Sequence, residues 1–436
     1  MLTPWLNVQR LAGPVLLAVL LANPVMAAPA ATYGRDFVRL DRHWPDEAPL
    51  ASAPQPPREG QGAAVAAQRE RLLLLEQEEG PYAAALAEPL MDMGRYLQEA
   101  GEAEQAGQLY QRALHVLRIN EGLYSDNQMP LLRSLFAIHR SLGDWQGLDA
   151  RYDYYFRLAA TLGELDVESA VDYFRWQREA LRRQLDSTDH RRLLRLYEAN
   201  EQLLAAADPA LDAAGYWQLL DSQLRNLYLI QALVTPRMVS TTRGFTSAAP
   251  FRSEPLQEID VHEQRLVNVQ RSAVARGSEL LSGFIDSAAS RDEQLLAQAL
   301  LALADWHQWN GDRRRAGEEY RQVVSYLQAT GQDALLQKWF GSPVELPDNG
   351  AFSRDTGVGG VPVLARFAVT AGGRPRDVET TAADESQQGF AMRLYRKLLA
   401  TRFRPRFENG AAVATAEVER NYRYLDPEAI RRFRSP

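Results

Sequence analysis

The sequence predicts a mainly α-helical protein: a long array of paired helices followed by one small α+β domain. Three observations carry this prediction. From about residue 63 to 340, apolar residues recur at helical spacing in a composition rich in Leu, Ala, Glu, Gln and Arg. Within that region one register of glycine, small and aromatic residues returns at three places. After residue 361 the pattern becomes alternation, tight turn, alternation, helix, alternation, the order ββαβ.

The elements follow in chain order. Arg10 closes a short polar start, "LAGPVLLAVLL" from Leu11 to Leu21 is an apolar run, and Ala27-Ala28-Pro29-Ala30 offers small residues for cleavage. The run is shorter than the about 20 residues a membrane span needs, so residues 1–30 read as a cleavable signal peptide and the mature chain is expected in the periplasm. A retained anchor is the alternative. Residues 31–62, with "APLASAPQPPREGQG", are too polar and proline-broken to bury a core and read as a flexible leader. The helical region, 63–340, is interrupted at 234–257 by "VTPRMVSTTRGFTSAAPFRSEPLQ", a loop of unusual length for a helical array. A linker, 341–360, precedes the end domain, 361–436.

The recurring register runs Gly94, Gly101, Ala106, Tyr110, Ala113 in "GRYLQEAGEAEQAGQLYQRAL". It returns as Phe136, Gly143, Leu148, Tyr152, Tyr155 and again as Ala304, Gly311, Ala316, Tyr320, Val323. The second glycine sits where a first helix must stop, a place that favours a left-handed backbone. The small residue lets a second helix approach, and the tyrosine fills the gap between units. This register resembles the tetratricopeptide repeat, a helix-turn-helix unit of about 34 residues. The resemblance implies a solenoid whose concave face binds protein segments, with Arg95, Gln98, Glu99, Arg133, Arg140, Asp305 and Gln308 as candidate groove residues. Between about Glu164 and Asp292 the register is lost while helical periodicity continues.

In the end domain, Val363, Ala365, Phe367 and Val369 point one way along the first strand, and Gly372-Gly373 forms the turn. A helix places Ala391, Leu394, Tyr395, Leu398 and Leu399 on one stripe. After "RFRPRFENG" a last strand, Ala412 to Tyr424, carries Val418, Tyr422 and Tyr424 on one face. Phe367, Gly373, Val378, Phe403, Arg404, Pro405, Asn409 and Gly410 together resemble the C-terminal domain of TonB family proteins. That resemblance implies a periplasmic domain whose sheet edge accepts a partner's strand, which makes Glu417, Glu419, Asn421 and Arg423 of the last strand candidate contacts.

Composition narrows the function classes. The 436 residues carry a net charge of −7, a balance that argues against general nucleic-acid binding. The absence of cysteine excludes a disulfide framework, a thiolate zinc site and a cysteine nucleophile. From 361 to 436 there are 14 basic and 9 acidic residues, about +5, which leaves about −12 on the remainder; opposed signs can steer a partner or dock the two parts on each other, or the arginines Arg402, Arg404, Arg406, Arg431, Arg432 and Arg434 can simply solubilise the domain. The six histidines are scattered, with His139 and His307 at the same repeat position, and "DVHE", Asp260 to Glu263, lacks the second half of a metal site. "TGVGG", Thr356 to Gly360, opens no helix and reads as linker. No catalytic residue, cofactor site or metal site emerges. The expectation is a non-enzymatic scaffold or adaptor that binds periplasmic or outer-membrane proteins through a helical groove and a sheet edge, touching membrane only through partners or an uncleaved signal anchor. A TonB-type energy transducer or accessory protein for outer-membrane transport is the alternative, and a periplasmic enzyme the remote third.

Overall fold

A computed structural model describes residues 37–39, 61–163, 165–185, 189–234, 261–287, 292–352 and 360–425. The expected signal peptide, the long loop beyond Val234 and the arginines after residue 425 lie outside the described residues. The fold is mainly helical, with thirteen α-helices among the described residues and a small C-terminal sheet region.

The helices run α1 (Gln61–Glu79), α2 (Ala87–Glu99), α3 (Ala103–Glu121), α4 (Gln128–Leu142), α5 (Trp145–Leu162), α6 (Val167–Arg183), α7 (Asp189–Ala206), α8 (Ala213–Leu233), α9 (Val261–Asp286), α10 (Glu293–Asn310), α11 (Arg313–Ala329) and α12 (Asp333–Phe340). Each packs on its neighbour in the chain. The repeated register has a direct backbone cause. Gly101, Gly143 and Gly311 follow first helices with φ of 81°, 67° and 96°, the left-handed conformation that ends a helix. The next residue then starts the partner helix: the Asp144 carboxylate accepts from Gly147 N–H and the Asp312 carboxylate from Arg315 N–H. Two residues thus stop one helix and cap the next. Asp166, Asp212 and Asp292 cap α6, α8 and α10 in the same way.

The small residues act as expected. Ala106, Ala316 and, in the second unit, Leu148 are fully buried. A Cβ on Gly94 would stand 2.6 Å from Tyr110 Cε1, so the glycine is what admits the ring between α2 and α3. In the second unit Phe136 replaces that glycine and stacks on Tyr152, centroids 4.0 Å apart, and Trp176 of α6 lies 5.4 Å from the other face. This spine belongs to a core shared by α1 to α6. A second core spans α6 to α10, and a third joins α10, α11 and α12.

The end domain contains β3 (Val361–Val369), β4 (Pro375–Ala382), α13 (Gln388–Ala400) and β8 (Thr415–Tyr424) in the expected order. Val363, Ala365, Phe367, Val369, Val418, Tyr422 and Tyr424 form its core with Ala391, Leu394 and Leu398 of the helix. Leu399 departs from the expected stripe and is 44% exposed. Further strands lie outside the ββαβ plan. β6 (Arg406–Glu408) and β7 (Ala411–Val413) form a hairpin around Asn409 and Gly410, both at positive φ, so the expected last strand is split at Ala414. β2 (Val344–Glu345) pairs with β5 (Phe403–Arg404). Val344, Glu345, Leu346, Ala351 and Phe352 are buried, so the first part of the expected linker is a packed element. β1 (Phe37–Arg39), from the expected flexible leader, pairs antiparallel with β8, giving the sheet order β1-β8-β3-β4.

Candidate functional site

The first helix of each repeated unit presents polar side chains that hold the tyrosine of the second. In the first unit the Tyr110 hydroxyl donates to Gln98 Oε1 at 3.0 Å. Arg95 is largely exposed and pairs with Asp92 at 2.7 Å, and Glu99 is exposed beside it. In the second unit Arg140 donates to the Tyr152 hydroxyl, which donates to Asp172 Oδ2 on α6 at 2.7 Å. Arg133 donates to the Tyr155 hydroxyl through Nε at 3.0 Å and Nη2 at 2.6 Å. Burial, reinforced by the Asp172 charge, pushes the Tyr152 phenol well above its ordinary range, so it stays protonated and donating. Of the five expected groove residues on α2 and α4, Gln98, Arg133 and Arg140 bond fixed tyrosines and reach solvent, while Arg95 and Glu99 are exposed beside them.

The third unit keeps the scheme with a different outcome. The Tyr320 hydroxyl donates to Asp305 Oδ1 at 2.8 Å. Asp305 also accepts Arg404 Nε at 2.9 Å and Nη2 at 2.5 Å, and Arg404 reaches Asp348 at 3.1 Å. Gln308, three residues before the turn glycine like Gln98 and Arg140, donates through Nε2 to Gly372 O at 3.1 Å and Phe403 O at 2.9 Å. Arg402 donates to Trp309 O at 2.5 Å, Phe407 packs edge-on against Tyr320 and Phe340, and Tyr422 bonds Glu345. Asp305 and Gln308 are accordingly buried against this chain's own end domain and are not open to a second protein. Arg402 and Arg404 are 7% and 1% exposed, so they form the seam between the two parts and do not serve as solubilising charges. Burial raises the Asp305 carboxyl, with Arg404 pulling against it; burial also opposes the Arg404 charge, yet Asp305 and Asp348 outweigh it and hold the guanidinium above its ordinary value.

The sheet-edge candidates lie on β8. Glu417, Glu419 and Asn421 are exposed on the face opposite the core, with Glu419 paired to Arg366 of β3 at 2.7 Å. Arg423 is not at an open edge, because it stands between Pro362 of β3 and Val38 of β1.

One cluster has the outline of catalytic machinery. Ser278 Oγ lies 3.0 Å from His307 Nε2, and His307 Nδ1 lies 2.7 Å from Glu319 Oε2, the order of a serine hydrolase relay. Ser278 stands inside α9, however, where backbone N–H groups are engaged in the helix ladder, so no pair of them converges on a developing oxyanion. The relay ties α9, α10 and α11 together, and His139 does the same between α4 and α5 through Asp144 at 2.8 Å. Among the described residues, no group of three or more His, Asp or Glu is placed to hold a metal.

Comparison with protein-family models and with curated protein sequences returns no significant match. The seam residues Arg402, Arg404, Glu345 and Gly373 were not picked as contacts by sequence reasoning. Their one visible signal is "RFRPRF", in which arginines alternate with aromatics as buried donors alternate with packed rings.

Proposed function

We propose that the chain is a non-enzymatic periplasmic scaffold or adaptor, built as a tetratricopeptide-like solenoid carrying a TonB C-terminal-like domain. The observation that carries this reading is the grip of α10 on the end domain. There the first-helix face holds two separate segments through their backbones: Gln308 donates to Gly372 O in the turn after β3 and to Phe403 O in β5. Hydrogen bonds to main-chain carbonyls can hold a segment without demanding one sequence. The corresponding face of α2 and α4 carries Arg95, Gln98, Glu99, Arg133 and Arg140, all reaching solvent, with Gln98, Arg133 and Arg140 bonded to tyrosines. On this reading the array has one face segment filled by its own end domain and an equivalent segment left for a partner. The outer edge of β8 supplies a second attachment.

The test is photocrosslinking in the native host from Arg95, Arg133 and Arg140, each replaced singly by a photoreactive residue, with Glu419 as the sheet-edge probe. Adducts from the three helical positions should map in order along one segment of one envelope protein. Adducts that scatter over unrelated proteins, or ester hydrolysis by the purified chain that Ser278→Ala removes, overturn the reading. No described helix is long and apolar enough to cross a membrane, and no described contact favours the transducer alternative over the scaffold.

A further inference from the structure

The last strand meets a segment from the opposite end of the chain. Phe37, Val38 and Arg39 pair with Tyr424, Arg423 and Tyr422. They cover only the final part of β8, which runs from Thr415 to Tyr424; along Thr415 to Asn421 no other described strand pairs on that side. The covered residues are firmly anchored from behind. The Tyr424 ring stacks on Phe390 with centroids 4.4 Å apart and its hydroxyl accepts from Arg393 at 2.6 Å, while Tyr422 is fully buried and bonded to Glu345. This part of the edge is therefore preorganised to receive a strand, and three described residue pairs join the strand now on it. The three described pairs supply few ladder hydrogen bonds to set against the entropy of ordering those residues, which favours exchange. Glu417 is exposed on this part of β8 and adds charge that discourages unspecific strand addition, while Glu419 is paired with Arg366 of β3.

We propose that Phe37–Arg39 is a built-in competitor for the strand-acceptor edge of β8. A partner's extended segment, adding antiparallel to β8 from Thr415 to Tyr424, must displace it to engage the whole edge. The inference rests on the adaptor reading of the sheet edge and adds its regulation: the final part of the edge is covered in the isolated chain and opens to a competing strand.

The absence of cysteine makes a direct test available in the full chain. Three proteins are compared: the wild type, a Phe37→Pro/Val38→Pro variant, and an oxidised Val38→Cys/Arg423→Cys variant. Successive strand residues turn their N–H groups in opposite directions, so one of two adjacent prolines must remove a ladder bond whichever pairs are hydrogen-bonded. Val38 and Arg423 are directly opposite, at a separation a disulfide can bridge. The probe is a fluorescent synthetic peptide with the sequence of residues 34–42, followed by anisotropy. Amide hydrogen exchange at Tyr422–Tyr424 reports independently whether the edge is covered. The proline variant should lose protection at those amides and bind the peptide at least about ten-fold more tightly than wild type. The oxidised variant should not bind, and reduction should return it to wild-type behaviour. Equal binding by wild type and proline variant overturns the competitor while leaving the acceptor edge intact. Unchanged protection in the proline variant also overturns it. A proline variant whose amides are exposed but which binds no peptide removes the acceptor edge itself, and the sheet half of the adaptor reading with it.

Discussion

At Gly373 the backbone has φ of +70°, and a Cβ would stand 2.0 Å from Phe403 O and 2.2 Å from Gln308 Nε2. Gly410 has a similar φ of +77° but nothing within 4 Å. The pair separates conformational strain from steric conflict. Gly410→Ala should cost about 1 kcal/mol, the left-handed penalty alone, whereas Gly373→Ala should cost about 3 kcal/mol or more because the seam must also open; urea midpoints of the two variants measure the difference. Asp221 on α8 is a second informative residue. Burial raises its carboxyl to about 6, against the pull of Arg178, a hydrogen bond from Asn349 and the ion pair with Arg225 at 2.5 Å. Its ordinary value is about 3.9, so between about pH 4 and pH 6 the folded chain holds a proton that the unfolded chain has released. The folded state binds more protons in that window, and this group's contribution falls as pH rises through it. Asp221→Asn should flatten the loss of stability between those pH values, read from urea midpoints at pH 4.5 and 7. An unchanged slope would place the proton elsewhere.

Elements are joined by a small number of backbone devices. A left-handed glycine followed by a capping aspartate sets the turns between α4 and α5 and between α10 and α11. Between α2 and α3 the decisive contact is Gly94 against Tyr110, whose ring is held at its far end by Gln98. Because the hydroxyl is tethered, the ring cannot simply swing aside for a new methyl group. Gly94→Ala should therefore destabilise by about 1–3 kcal/mol. The same change made with Tyr110→Leu should cost less than the sum of the two single changes, the coupling expected of residues in contact. Strict additivity in that double-mutant cycle would mean that the helices close through other contacts. The unit around Phe136 solves the same problem by stacking, which is why the register tolerates an aromatic there.

At the scale of the molecule, the helical array and the end domain are locked by one fully buried guanidinium. Arg404 reaches Asp305 on α10 and Asp348 on the segment after α12, while Arg402 and Gln308 satisfy carbonyls across the same seam. Arg404→Met leaves two carboxylates facing the seam without their shared cation, a loss of about 3–5 kcal/mol. The unfolding curve should then split into two transitions, and small-angle scattering should report a larger radius of gyration as the end domain swings free. Replacing Arg404, Asp305 and Asp348 together by apolar residues of similar volume should cost less than Arg404→Met alone. A single transition with unchanged dimensions in Arg404→Met would assign the seam to its apolar contacts, among them Phe407 on Tyr320 and Phe340.

The sequence by itself determined the local rules of this protein. Helical periodicity, the glycine that stops a helix, the alanine or glycine that admits a neighbour, and the alternation of Val363, Ala365, Phe367 and Val369 are all short-range, because each depends on backbone geometry within a few residues. Those rules marked the helical region, the turns of the three register units, the hairpin and the core faces of β3 and β8, and they identified Arg95, Gln98, Glu99, Arg133 and Arg140 as first-helix side chains; the helices between about Glu164 and Asp292 carry no such register. Only the tertiary structure decided which of these faces stay open. Asp305 and Gln308 obey the same register as the solvent-reaching residues of the first unit, yet they are covered, since the end domain returns across 64 residues from Gln308 to Gly372 and 99 from Asp305 to Arg404. Phe37–Arg39 reads as leader in one dimension and as a strand in three, because its hydrogen-bonding partner lies at the far end of the chain. Long-range pairing leaves no periodicity in the sequence, and in this protein it covers the first-helix face of α10 and the final part of the β8 edge.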